Sequence, residues 1–266
     1  LEMMMYPNHI RKLKRHVSKI NYLDIGSRGG LSGWFAEIKD KLNVLSFEAS
    51  ENEGLFNFSG KKNFYSTKDG VTSSFFKPNP IIKIYEDQKH RFDYQEIEMK
   101  VDTLDNKMKN NDKKIDLIKI DTQGSEFEII QGGLQTIKRH KPFIFIETWS
   151  YPYYEKIKYF DEILSELRKI DYEIYLMEVA ASTRLEYKHI FKENFGNKKH
   201  TGFNIFLGPS IEEICSISDQ EEKIKKSFLF FIHDLLSFSY KIIESDNSEY
   251  QKDLKNIIQK RIRYKH

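Results

Sequence analysis

The chain is poor in the residues that make covalent or metal staples. Cys215 is the only cysteine among 266 residues, so neither a disulfide framework nor a cysteine-based zinc site forms within one chain. Its neighbours Ile214 and Ile217 make it read as a packed thiol rather than a nucleophile. Charge of one sign is scarce as well: 43 Lys and Arg against 40 Asp and Glu leave a net +3, too little to argue for nucleic-acid binding. No apolar run approaches the roughly 20 residues that span a bilayer. The densest cluster, "FLFFIHDLL" at 228–236, is interrupted by His233 and Asp234. The first twenty residues lack the apolar stretch of a secretory signal. The expectation is a soluble cytoplasmic protein with no nucleic-acid partner and no transmembrane segment.

What is present is enough for a core. Hydrophobic residues make up 39% and aromatics 14%, which suits one large domain or one domain with an extension. "INYLDIG" (20–26) reads as a buried strand and "LSGWFAEIKDKL" (31–42) as a helix, with Trp34, Phe35, Ile38 and Leu42 at helical spacing. "NVLSFEA" (43–49), "NFYST" (63–67), "YQEIEMKVDTLD" (94–105), "IDLIKID" (115–121) and "FIFIET" (143–148) read as further strands. Glu126 to His140 reads as a helix weakened by Gly132 and Gly133, and Tyr154 to Ile170 as an amphipathic helix. "YEIYLME" and "GFNIFLG" are late strands suited to an antiparallel edge. Strands alternating with helices predict an α/β fold with a mostly parallel sheet covered on both faces. The predicted organisation is a basic lead-in (1–19), an α/β domain (20–210) and a C-terminal helical extension (211–266).

In open α/β sheets ligands bind beyond the carboxyl ends of the strands. The first strand ends in "DIGSRGG", where Gly26, Gly29 and Gly30 let backbone approach a ligand and the carboxylate of Asp24 can receive an ammonium. The second strand ends in Glu48, about 20 residues on, the spacing at which an acid accepts from ribose hydroxyls. The turn reads G-x-x-G-G and not G-x-G-x-x-G, so S-adenosylmethionine (SAM) fits better than a dinucleotide. A NAD-dependent oxidoreductase is disfavoured on the same ground.

Several segments, in order, carry a resemblance: "LDIGSRGG", "LSFEAS", "VTSSFFKPNP", "VDTLD", "IDLIKIDTQGSEFEIIQGG" and "FIFIETWSYPYYE". The chain resembles FkbM-family methyltransferases over about residues 20–208, most tellingly in "DLIKIDTQGSE". The resemblance implies a class I SAM-dependent O-methyltransferase on a Rossmann-like sheet, acting on hydroxyls of surface-glycan sugars or secondary metabolites. It places Asp24, Gly26, Ser27, Arg28, Gly29 and Gly30 at the methionine end of SAM and Glu48 at the ribose. Ser73 and Ser74 fall near the adenine, and Asp121 at the reactive methyl. Asp121 and Glu147 end adjacent strands, and either suits a general base for a hydroxyl. Such a pair also suits a shared divalent metal such as magnesium, as in catechol O-methyltransferases, but a third ligand is not evident and the metal-free reading is preferred.

Other residues have plainer readings. Glu126 in a first helical turn is favourable to the helix dipole. Lys119 pairs with a carboxylate or snorkels out of the pleat. Tyr151, Tyr153 and Tyr154 suit packing before an acceptor pocket. The basic ends (Arg11, Lys12, Lys14, Arg15, Lys19; Lys255, Lys260, Arg261, Arg263, Lys265) read as solvated helix faces, with peripheral contact to an anionic membrane surface as the functional reading. The aromatic face of the C-terminal helices suits a homodimer. One segment breaks the pattern: only about five residues separate Glu48 from "GLFNFS", too few for a parallel crossover, which takes roughly a dozen. Either a helix has been lost, or the third strand is displaced, or residues are absent. The adenine contact is therefore unassigned, with Asp69 a candidate. The competing reading is a catalytically silent binding or scaffold module.

Overall fold

The computed structural model describes residues 2–26, 28, 30–31, 34–49, 53–183 and 199–263. Helix α1 (Glu2–Lys14) leads into β1 (Ile20–Ile25), and a single turn of α2 (Trp34–Glu37) leads on to β2 (Leu42–Phe47). Strands β3 (Glu53–Leu55) and β4 (Gly60–Thr67) precede two 3-10 stretches, Pro80–Ile84 and Glu86–Phe92. Then come β5 (Tyr94–Asp102), α3 (Leu104–Met108), β6 (Leu117–Ile120), α4 (Glu126–Gly132), α5 (Leu134–His140) and β7 (Phe143–Trp149). The chain continues through α6 (Phe160–Arg168), β8 (Tyr172–Thr183), β9 (Lys199–Pro209), α7 (Ile211–Ser216), α8 (Gln220–Ile232), α9 (Leu236–Ile242) and α10 (Glu249–Arg263).

The main sheet has six strands in the order β2-β1-β6-β7-β9-β8. Its first three pairings are parallel and the last two antiparallel, so the antiparallel edge expected from the late strands is present. The fold is therefore mixed α/β with a mostly parallel sheet. Strand period two sorts the side chains. Ile20, Tyr22, Leu117, Phe143 and Phe206 point to the face covered by α1 and the C-terminal helices. Leu23, Ile25, Ile118, Ile120, Ile144 and Ile146 point to the face covered by α3 to α6. The aromatic face of α8 is spent on this chain's own sheet: Phe228, Phe230 and Phe231 are fully buried in that first cluster. Asp219 starts α8 by accepting from Glu222 N at 2.7 Å. Among the described residues no helix is long and apolar enough to cross a membrane.

Three expected helices are shorter than their periodicity suggests. Among the described residues of the 31–42 segment, α2 and a 3-10 turn at Lys39–Lys41 are the helical parts. The 126–140 segment divides into α4 and α5 at Gly132 and Gly133, because Gly132 passes against the Phe56 carbonyl, where any Cβ would collide. The 154–170 segment becomes helical only at Phe160: Tyr153 and Tyr154 are packed by their rings in a separate buried cluster, and Lys156 is left-handed at φ 63°.

The short link after Glu48 has a definite outcome. β3 does not extend the main sheet. It joins a second, three-stranded sheet in the order β3-β5-β4, parallel to β5 through Gly54↔Val101. That sheet has its own core of Phe56, Phe64, Phe75, Met99 and Val101. β2 is left as the last strand of the main sheet, with Val44 and Leu45 each nearly half exposed.

Candidate active site

The carboxyl ends of β1, β6 and β7 carry a run of charged side chains set by one register. Asp24 stands opposite Lys119, and Lys119 opposite Phe145. Residues 24, 119, 121 and 147 therefore project to one side of the sheet. Lys119 Nζ lies 3.5 Å from Asp24 Oδ1 and 3.5 Å from Asp121 Oδ2, and donates to the Gly26 carbonyl at 3.2 Å. Asp24 is 2% exposed. Burial raises its pKa against the opposing pull of Lys119. Asp24 thus lies behind the site wall as the lysine's partner.

Gly26 is left-handed at φ 81° and donates its N–H to the Phe47 carbonyl at 2.9 Å. A Cβ there would strike the Asp121 carbonyl, so only glycine lets the first turn lie against the end of β6. Beside it a cavity of about 220 Å³ opens between the two sheets. Its polar wall carries Gly26, Arg28, Glu48, Asp121 and Gln123; its apolar wall carries Leu55, Phe64, Phe75 and Ile129. Glu48 Oε2 is buried with no hydrogen-bond partner. Arg28 packs over Gly70, another left-handed glycine on the rim.

Beyond Asp121 lies Glu147, whose carboxyl is raised far above its ordinary range. Burial is the main cause, followed by the charge of Asp121 and a hydrogen bond shared with it, then by the charge of Glu126. The two carboxyl groups thus share a hydrogen bond at the ends of adjacent strands. Gln123 joins them: its Nε2 donates to Glu147 Oε2 at 3.2 Å and to Asp121 Oδ1 at 3.4 Å. Glu126 is turned back on the loop. It accepts from Thr122 N at 2.9 Å and from Gly124 N at 2.9 Å, and burial raises it to about 7. Its role is to fix the 122–124 loop.

The sequence-expected residues separate into groups. Gly26, Arg28, Glu48, Ser73 and Asp121 share the cavity wall. Gly30 is exposed with open space around it, and Ser27 and Gly29 lie outside the described residues. Ser74 is buried off the wall, donating to the Gln123 carbonyl at 2.6 Å. Asp69 is also off it, accepting from Thr67 Oγ1 at 2.8 Å and Thr72 N at 3.2 Å, a turn-organising role. Glu147 stands outside the cavity, reached through Gln123. Among the described residues no three His, Cys, Asp or Glu side chains group as metal ligands. Gln123, Ser125, Phe75 and Arg91 were not singled out from the sequence. Ser125 is fully buried, lines the cavity, and its Oγ has no partner. Only the motif around it, "DTQGSE", gave any sign.

The family profile described as Methyltransferase FkbM domain matches residues 28–174, more than half of the chain. The chain belongs to the FkbM methyltransferase family. Among solved structures it is similar to methyltransferase FkbM from Methylobacillus flagellatus KT, determined at 2.20 Å, with 16% identity and a TM-score of 0.36. The match covers 71% of this chain and 44% of that one, so the chain spans less than half the length of that FkbM relative. No curated protein matches. For this FkbM domain the match begins at Arg28, inside the first glycine turn, and ends in β8.

Proposed function

We propose that this chain is a SAM-dependent O-methyltransferase, with the main sheet as a Rossmann-like class I platform and a hydroxyl of a glycan sugar or secondary metabolite as acceptor. One observation carries the reading. Glu48, at the end of β2, lines the cavity and holds a buried carboxylate oxygen with no partner. A ribose diol would satisfy that oxygen, whose burial without a hydrogen bond is otherwise costly. The residues present fit the cofactor: Gly26 and Arg28 at one end, Glu48 at the ribose, and the slot of Leu55, Phe64, Phe75 and Ile129 for a flat adenine ring. Bound there, SAM would supply a methyl group on a positively charged sulfur.

The chain's own contribution is position and proton transfer. Asp121 stands at the junction of cavity and carboxylate pair. There its carboxylate would accept the proton of an acceptor hydroxyl set against the methyl end of the cofactor. Lys119 offsets the charge of Asp121 until then. Holding the reactants in line contributes at least as much as the base.

A silent binding module is the competing reading, favoured by the displacement of β3 into the second sheet. Calorimetry separates the two. SAM should bind in the micromolar range, and Glu48→Ala should weaken it by about 10- to 100-fold, the usual worth of a hydrogen bond to a charged group. No heat and no thermal shift with SAM would remove the enzyme reading. Mass spectrometry of surface glycans from a deletion strain then tests the acceptor class through loss of one methyl group.

A further inference from the structure

Gln123 is held more firmly than a loop residue needs. Its backbone is left-handed at φ 57°, a strained conformation for a residue with a Cβ. Three contacts impose it. Ser74 Oγ donates to its carbonyl at 2.6 Å, and Glu126 accepts the N–H groups of both neighbours, Thr122 and Gly124. The side chain is equally constrained. Its Oε1 accepts from Arg91 Nη1 at 3.1 Å and faces Tyr154 Oη at 3.1 Å. The amide oxygen faces an arginine N–H, which cannot accept in return, and a tyrosine hydroxyl whose single proton goes to this oxygen or to the Thr72 carbonyl. Turning the amide over would set N–H against N–H at Arg91 and oxygen against two carboxyl groups. The orientation is thus fixed, and the NH2 must face Asp121 and Glu147.

Arg91 is itself unusual. It is 7% exposed, donates through Nε to Gln88 Oε1 at 2.8 Å, and hydrogen-bonds Tyr154 OH. Its guanidinium lies over the rings of Tyr153 and Tyr154, 4.9 and 5.4 Å from their centroids. The cation reaches the acid pair through Gln123 rather than by direct pairing.

We propose that Gln123 is a positioning residue for the proton-accepting centre, its amide locked by Arg91 and Tyr154 so that both N–H donors hold Asp121 and Glu147 in one fixed arrangement. The inference rests on the reading of Asp121 as the proton acceptor, but its geometry is testable without cofactor or acceptor. The charged and titratable groups around the pair are Lys119 on β6, Asp24 on β1, Glu126 on α4, Arg91 on the 3-10 stretch, and Tyr154 after β7.

The test is a carbon-detected NMR titration of the side-chain carboxyls in the full chain without SAM, for wild type, Gln123→Met, Tyr154→Phe and Arg91→Lys. Folding of each is checked by circular dichroism and thermal melting. Removing the amide donors should move the coupled Asp121–Glu147 titration upward by about one pH unit, since hydrogen bonds to a carboxylate favour its charged form. Tyr154→Phe removes one lock while leaving every charge in place, and should move it less, in the same direction. Arg91→Lys keeps the charge but loses the fork, and should match Tyr154→Phe. If Gln123→Met does not fold, these two variants carry the test. An unmoved titration in Gln123→Met, or a lowered melting temperature with no titration shift in any folded variant, overturns the proposal. Failure of SAM to bind would leave these titrations readable, so the two readings fail separately.

Discussion

The two walls of the cavity are built on different terms. The wall from the main sheet is polar and over-determined. Lys119 bridges two aspartates, Gly26 closes against a carbonyl, and Glu126 clamps the loop by its backbone. The apolar wall comes mainly from the second sheet and rests on ring packing. Phe75 meets Phe64 at 4.9 Å and Phe56 at 5.9 Å between centroids, and Gly54 lies flat against the Phe75 ring. The first wall sets charge and the second sets shape. In general, a site can take its chemistry from one sheet and its volume from another, so that the two tolerate substitution differently.

Substitutions sharpen that contrast, beginning with the apolar wall. Phe75→Ala should cost about 3–5 kcal/mol of stability, the usual price of emptying a buried aromatic position, as read by denaturant unfolding. It should loosen SAM binding through lost shape while leaving the carboxyl titrations of the polar wall unchanged. A shift in those titrations would show the walls to be one unit. Gly26→Ala acts on the polar wall. Left-handed strain alone costs about 1–3 kcal/mol, and the displaced Asp121 backbone should abolish SAM binding in calorimetry although every apolar contact survives.

The third test uses pH. Burial is the main cause that raises Glu126 and Glu128 to about 7 each. The native state therefore holds these protons longer than the unfolded chain does. Stability falls as pH rises from about 4.5 to 7 and levels off above, as far as these two groups are concerned. Glu147 extends the fall to higher pH, since it is raised further. Glu128→Gln should remove part of the slope and stabilise the protein at pH 8 by roughly 1–3 kcal/mol. Thermal melts across pH 5 to 8 read this directly, and an unchanged slope would mean that Glu128 is hydrated in solution.

Much of the polar wall was legible because it follows from strand period and strand ends. "LIKID" puts Lys119 and Asp121 on one side, and the order of β1, β6 and β7 supplies their partners. The pairing of Lys119 with carboxylates was among its expected readings. Glu126 was open between dipole partner and functional acid; its actual partners are loop N–H groups two and four residues back, a local geometry that no periodicity encodes. The apolar wall was much less legible. The five-residue link after Glu48 was too short for an ordinary parallel crossover and left a lost helix, a displaced strand or absent residues open, but it did not show that β3 would pair with β5 more than 40 residues later. Arg91 comes from a 3-10 stretch with no apolar pattern, and it reaches Gln123 only because Tyr153 and Tyr154 stack beneath it. Long-range ring packing decides both, and neighbouring residues in sequence carry no trace of it.

The position of β2 has a consequence for motion. Glu48 follows a strand that is hydrogen-bonded on one side only and whose Val44 and Leu45 meet solvent. An outer strand opens at lower free energy than the central β6. The carboxylate proposed to meet the ribose therefore follows an edge strand of the main sheet, while the one proposed to take the proton follows a central strand. On that proposal ligand capture and proton transfer would run on different clocks, and occupancy of the cavity should register first as slowed amide exchange along β2.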